Sequence, residues 1–444
     1  MISQPSNLDP GMPIAGKSTA APYVLSNTRT TSFERFLLFL APVLLPLQEQ
    51  IPTVAGMSVM FLVFAVLAAY VILNRSRTLG KIWCHPIFFA AYAFIGVSVL
   101  LEFSSPQSRY GEIFRFGQMI SGMVCVAVLC RDRSALTAGL YGCIAAALWV
   151  SLLLYLTSYG TLQGMNVDSF HEASKARAQV FQDKAIEGNI NGLAHACSQG
   201  AIIAFALTLS ESLKSRRNLW LGITAVCLVA SFLPMSRGAA VISLVSFVAI
   251  LYTYGAKHGK VLIILAILGF GIYIIVPDAV WSRMAFSTES RSGKLEGRAW
   301  IYTTALRRLP EYVVAGVGAG NFHEKWGFEK GFAREFGGQQ VVYGAHNAFL
   351  QIAIFWGTLG LSGFLLIIWS VYRSIPFRCA RDGLALALMG IAISLGLQLT
   401  QSHVFSDKWY AIGIGMLIGA RQWIWPTGVV SVVEATQGPL RDRL

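Results

Sequence analysis

"YGAHNAFLQIAIFWGTLG" (343–360) sets a histidine and an asparagine, His346 and Asn347, directly before an apolar run that continues to about residue 371. Imidazole and carboxamide groups add nothing to the packing of an apolar helix, and each is costly to bury unpaired. An ionisable group beside a membrane span is a functional candidate by default. The competing reading is plain: a helix-start pair that only bonds neighbouring backbone.

The rest of the chain has the same character. Of its 444 residues, 55% are hydrophobic and 13% charged, against about 25% charged in ordinary soluble domains. Several apolar runs approach the roughly 20 residues that cross a bilayer as a helix. The expectation is therefore an all-α polytopic membrane protein of about twelve transmembrane helices, near 34–50, 53–73, 85–103, 111–130, 134–157, 190–210, 218–235, 238–254, 260–277, 346–371, 383–401 and 407–425. The turns "NRSRTLGK" (74–81), "RDR" (131–133), "KSRR" (214–217), "KHGK" (257–260) and "RSIPFRCAR" (373–381) alternate so as to share one side. Basic turns mark the cytoplasm. Residues 1–33 and 426–444 then read as cytoplasmic tails, 34–277 as spans one to nine, and 346–425 as spans ten to twelve. Two long segments face outward, 158–189 and 278–345. The seven cysteines lie mostly inside apolar runs without CxxC spacing, and read as small buried residues, not as disulfides or metal ligands.

Basic residues are nonetheless shared almost evenly between the two sides, and Arg237 sits in a short outer turn, "LPMSRGAAV" (233–241). A basic outer face suits an anionic partner at the outer leaflet. In the longer outer loop, "GRAWIYTTALRRLPEYVVAG" (297–316) predicts a helix from Arg298 to about Leu309, stopped by Pro310. Trp300, Ile301, Ala305, Leu306 and Leu309 form a stripe at helical spacing that would lie along the membrane surface. "GVGAGNF" (316–322) follows as a glycine-rich turn. It lacks the Lys-Ser or Lys-Thr of a phosphate-binding loop. Residues 323–345 read as an aromatic, polar loop.

His346 is a candidate general base, since an imidazole with a pKa of about 6.5 is largely neutral at pH 7 and can take a proton. Asn347 and Gln351 stand four residues apart on one helix face and can orient a ligand hydroxyl or amide. Arg237 and Arg298 either snorkel to headgroups or bind phosphate through the planar guanidinium. Two or three such arginines would stabilise a pyrophosphate leaving group, at about 1.5–3 kcal/mol for each contact. The chain has no DxD, HExxH or GxSxG motif, which argues against metal-dependent glycosyl transfer, zinc peptidases and common serine hydrolases. Nucleic acid is not an expected partner, because the positive charge is divided between two sides of a membrane.

Taken in order, "SRG" (236–238), "GRAWIYTTAL" (297–306), "GVGAGNF", "HNAFLQ" (346–351) and "WGTLGLSGF" (356–364) resemble the O-antigen ligase and polymerase superfamily, and within it the O-antigen ligases. "RAQVFQDKAIEGNINGLAHA" (177–196) is similar to that family's "R…F…NPN…LA" element, with Ile190 in place of the proline. The resemblance covers roughly 175–365. It implies a GT-C-like fold in the bacterial inner membrane with a periplasmic active site. It also implies a donor glycan on undecaprenyl pyrophosphate and an acceptor hydroxyl on lipid A–core, with no cofactor or metal. His346 would be the base, Arg237, Arg298 and Arg177 the pyrophosphate ligands, and Asn347 and Asn191 substrate-orienting groups. The nearest rivals are an O-antigen polymerase and a protein O-oligosaccharyltransferase of the same superfamily, which differ in acceptor. The pairs Arg177…Gly188 and Arg307…Gly318, which echo a polymerase element, occur at the frequency of chance. A twelve-span transporter is the remote alternative, disfavoured by the short link at 211–217 between spans six and seven.

Overall fold

A computed structural model describes residues 29–46, 59–103, 105, 110–165, 172, 177, 180–181, 190–255, 258–284, 298–336, 339–379, 381–401 and 408–425. Both expected tails beyond these limits, and most of the outer loop 158–189, lie outside the described residues. The helices are α1 (Ser32–Leu44), α2 (Val59–Trp83), α3 (Pro86–Phe103), α4 (Gly111–Leu129), α5 (Arg133–Gln163), α6 (Ile190–Ser210), α7 (Lys214–Phe232), α8 (Arg237–Tyr254) and α9 (His258–Ile275). After α9 come α10 (Asp278–Met284), α11 (Arg298–Arg307), α12 (Leu309–Tyr312), α13 (Ala348–Ser374), α14 (Gly383–Gln398) and α15 (Trp409–Trp423). A helix overlaps each of the twelve expected stretches, although 47–50 of the first lie outside the described residues. Seven of them, α2–α6, α8 and α13, are long and apolar enough to cross a membrane. The protein is a helical, multi-pass membrane protein. Helices α14 and α15, at 16 and 15 residues, each rise only about 22–24 Å.

Local chemistry fixes where the helices begin. Thr31 and Glu34 form a reciprocal capping box on α1. Asp132, Ser236, Asn347 and Asp382 cap α5, α8, α13 and α14 by accepting from backbone N–H groups one turn in. Such caps satisfy donors that a helix start leaves open.

The expected basic turn 74–81 is instead helical, because α2 continues to Trp83 and only bends at Arg75 (φ −135°, ψ 24°). The bend accompanies a buried ion cluster. The Glu34 carboxylate, fully buried, receives Arg75 Nε at 2.5 Å and Arg131 Nη2 at 3.1 Å. Arg133 holds Asp382 at 2.6 Å and 3.0 Å beside it in sequence. This cluster marks one end of the bundle. Since α14 starts there at Asp382, its far end at Leu399–Gln401 marks the opposite end, and the functional candidates gather at that end.

The core between the ends is continuous and apolar. Five of the seven cysteines are buried within it, and none forms a disulfide. Helix α6 packs on α5, α7, α8 and α14 and is buried along most of its length.

Candidate functional site

His346 occupies a left-handed backbone conformation, with φ 48°. For a residue with a Cβ this costs on the order of 1–2 kcal/mol, so neighbouring bonds must hold it in place. Three such bonds surround it. Ala345 N donates to the buried Gln351 Oε1 at 2.6 Å. Leu350 N donates to Asn347 Oδ1 at 3.1 Å. Ala348 N donates to the Leu399 carbonyl at the end of α14, at 2.8 Å. The oxygens of Asn347 and Gln351, expected to orient a ligand, are thus engaged in shaping the corner. Their amide nitrogens remain the groups with chemistry to offer. The half-buried imidazole is set off from the helix start by the turn.

The "SRG" corner is built in a parallel way. Buried Met235 is also left-handed, with φ 53°, and Ser236 caps α8 by accepting from Ala239 N. Arg237 is the first residue of α8 and is partly buried. Gly238 lies so close to the Gln401 side-chain amide that a Cβ there would overlap it. Gln401 is two residues from Leu399, which holds Ala348. One short turn after α14 therefore bridges the two corners, placing Gly238 and Ala348 within roughly 20 Å by summed backbone steps.

Arg177 Nη2 donates to Asn191 Oδ1 at 2.8 Å, so these two join at the start of α6, which packs on α8 and α14. From Asn191 a polar face runs inward through His195, Ser198 and Gln199, and Ser198 Oγ meets Ser243 Oγ of α8 at 2.6 Å. Polar groups at i, i+4, i+7 and i+8 in an otherwise apolar helix share one face. That periodicity was present in "NINGLAHACSQ" (189–199) and would have pointed to His195.

Arg298 opens α11, and its side chain lies outside the described residues. Two positions on, Trp300 lies 6.3 Å from the Tyr343 ring and 4.0 Å from the Arg334 guanidinium carbon. The start of α11 is thereby set beside the segment that ends at His346. The expected stripe divides: Ile301 and Ala305 are buried, whereas Leu306 and Leu309 are exposed. Helix α11 ends at Arg307, two residues short of the expected Leu309, and Pro310 sits in the first turn of α12, where a missing N–H is tolerated. The expected loop 323–345 contains a hairpin, β1 (Ala333–Phe336) pairing antiparallel with β2 (Gln339–Val342). Cross-strand pairing satisfies the backbone groups of "AREF" and "QQVV".

The glycine-rich turn has a structural task. Helix α13 breaks at Trp356–Gly357, where Gly357 takes φ 60°, ψ −158°. Val317 N and Gly318 N donate to the Ile354 and Phe355 carbonyls at 2.8 Å and 2.9 Å, and Thr358 N to the Val313 carbonyl at 2.7 Å. The loop thus takes up backbone groups that the break exposes, as an interrupted membrane helix requires. Glu102 of α3, fully buried, secures the loop by accepting from Ala319 N (2.8 Å), Gly320 N (2.9 Å) and Trp356 Nε1 (3.3 Å). Sequence reasoning missed Glu102, although an acid inside an apolar run is itself a signal.

An apolar groove of about 240 Å³ lies between α4, α13, α14 and α15, lined by Met119, Met123, Phe364, Ile367, Gly396 and Leu399 among others. It reaches the Leu399 turn, one hydrogen bond from the His346 corner. The assembled groups can take a proton at imidazole, bind anionic oxygen at guanidinium, and bond hydroxyls through amides. Residues 192–365 match the sequence profile of the O-antigen ligases, from the first turn of α6 through the break in α13. Arg237, Arg298 and His346 fall inside that match, and Arg177 and Asn191 lie just before it. No curated protein matches the chain.

Proposed function

We propose that this chain, whose residues 192–365 match the O-antigen ligase family, is such a ligase and moves a glycan from undecaprenyl pyrophosphate to a sugar hydroxyl of lipid A–core. The observation that carries this reading is the His346 corner, a strained turn held by three hydrogen bonds and bridged by Leu399–Gln401 to Arg237 and Gly238. A strained, well-held ionisable residue at the same end of the bundle as a cation suits an acid–base site at an anionic substrate.

In this mechanism the His346 imidazole takes the proton of the acceptor hydroxyl as its oxygen attacks the anomeric carbon. The bond from that carbon to the pyrophosphate oxygen breaks on the opposite side, inverting the centre. The electron pair leaves with the pyrophosphate, and the guanidinium groups of Arg237, Arg298 and Arg177 offset the charge as it develops. Asn347 and Asn191 position sugar or pyrophosphate through their amides. Neither metal nor nucleotide enters these steps, since pyrophosphate already leaves readily. The apolar groove ending at Leu399 suits the isoprenoid tail of the donor and would bring its head to the corner. The reading places the site on the periplasmic face of the bacterial inner membrane, in a twelve-span, GT-C-like bundle.

The test is a purified assay in which wild-type protein receives lipid A–core, a second carrier-linked glycan and a protein acceptor in parallel. Transfer to lipid A–core alone supports the ligase. Chain extension on the carrier makes the protein a polymerase, and transfer to protein makes it an O-oligosaccharyltransferase.

A further inference from the structure

At the same end of the bundle as the two corners, a cavity of about 720 Å³ opens between the ends of α5 and α9 and the start of α10. Its polar lining comes from Tyr159, Gln163, Asp278 and Ser282, and its apolar lining includes Ile275 and Pro277. None of the sequence motifs contributes to it. From these residues we propose that the cavity binds uncharged sugar rings of a glycan substrate. The source of those sugars rests on the ligase reading above.

Four observations converge on this ligand. First, the described lining holds a carboxylate, a carboxamide and two hydroxyls. A pyrophosphate would meet the repulsion of Asp278 there. Vicinal hydroxyls, by contrast, donate to a carboxylate and both donate to and accept from an amide. Second, the size falls in the range of small-molecule sites, about 300–1,000 Å³, and accommodates more than one pyranose ring. Third, α5 departs from α-helical winding at Tyr155–Tyr159, a π-turn. Such a turn shifts the facing of every residue after it and recurs at functional sites. Here it ends at Tyr159 and precedes Gln163, and the Tyr159 hydroxyl donates to the Ile275 carbonyl at 3.2 Å, tying α5 to α9.

The fourth observation is position. Trp281 of α10 donates to the Val276 carbonyl at 3.2 Å, and its ring lies 6.0 Å from that of Phe232. Phe232 ends α7, five residues before Arg237. A glycan whose pyrophosphate rested at Arg237 could extend its sugars toward the cavity, and an acceptor glycan could enter from there.

Asp278→Asn and Gln163→Ala, both at exposed positions, test this in full-length protein reconstituted in lipid nanodiscs. Transfer kinetics are measured with each substrate varied in turn. We expect KM to rise about 10-fold or more for one glycan substrate while kcat changes little. A rise for the carrier-linked glycan assigns the cavity to the donor, and a rise for lipid A–core assigns it to the acceptor. A second measurement needs no turnover: saturation-transfer NMR with core oligosaccharide and free O-glycan, each released from the host lipopolysaccharide by mild acid. Glycan signals should appear with wild type and vanish with Asp278→Asn. Sugar binding by a wild type that transfers nothing would support the cavity and sink the ligase reading. Unchanged KM for both substrates, with unchanged glycan signals in both variants, would overturn the proposal.

Discussion

Alanine at Gly357 should be among the most damaging single-methyl additions in the chain. Its backbone, at φ 60° and ψ −158°, lies in a region that residues with a Cβ pay about 1–3 kcal/mol to occupy. The new methyl would also collide with the Val314 carbonyl. Backbone cannot swing aside as a side chain can, and overpacking of this kind costs about 1–3 kcal/mol. If the contact between the loop and the break in α13 yields, the hydrogen bond from Thr358 N to the Val313 carbonyl weakens, at about 0.5–1.5 kcal/mol. The sum, about 2.5–7.5 kcal/mol, is a large share of a typical folding free energy of about 5–15 kcal/mol. Two other glycines separate the contributions. Gly255 is left-handed at φ 83° but nothing lies within 4 Å of its Cβ position, and Gly269 is helical and equally open. Gly255→Ala should therefore lose only the conformational part, about 1 kcal/mol. Gly269→Ala should be neutral or stabilising by up to roughly 1 kcal/mol, because alanine is the better helix former. The assay is thermal unfolding of the three variants in one detergent. Equal midpoints for Gly357→Ala and Gly269→Ala would refute the packing of the loop against the break in α13.

Other expectations concern charge and topology. Arg237→Ala should lose about 10- to 150-fold in transfer, the equivalent of one charge-assisted contact, while still inserting. Arg237→Lys should recover only part, lacking the bidentate fork, and wild-type turnover in the alanine variant would leave Arg237 a mere headgroup anchor. At the opposite end, burial works against the Asp132 charge, but donors from Ser134, Thr30 and Ala135 hold its carboxyl below the usual carboxylate range. Its folded pKa is lowered, so its stabilisation is complete above the unfolded value of about 3.9 and fades as pH falls below it. Melting midpoints of Asp132→Asn should lack the part of the acid loss below about pH 4 that the wild type shows, and identical pH profiles would contradict this. With exposed Cys84 replaced, a cysteine at Glu329 should react with an impermeant maleimide in intact cells, and one at Ser215 only after permeabilisation. The reverse pattern would invert the membrane orientation.

Apolar length made the helices legible, because polar groups are costly in hydrocarbon. The kinked continuation of α2 was not legible, since "NRSR" reads as a turn unless Glu34, some forty residues earlier, is known to sit under Arg75. His346 was legible as a polar residue in an odd place, but its left-handed backbone was not. That conformation depends on the Leu399 carbonyl and on Gln351, which tertiary structure supplies. Asn347 and Gln351 were expected to orient a ligand from one helix face, yet Asn347 is the extended cap of α13 and both oxygens serve the corner itself. The glycines of "GVGAGNF" were visible as punctuation. Their partner, the break at Trp356–Gly357, was hidden because a helix running on through that stretch has the same hydropathy.

The most direct test of the central claim compares carrier binding with transfer in His346→Ala. Binding is read with sugar-free undecaprenyl pyrophosphate in nanodiscs, and transfer with the carrier-linked glycan and lipid A–core. A positioned general base contributes about 10²–10⁴-fold, so transfer should fall by that factor while carrier affinity stays within about twofold of wild type. Binding that collapses in step with transfer would make His346 a pyrophosphate ligand, and transfer at the wild-type rate would reduce it to a residue that only starts a helix.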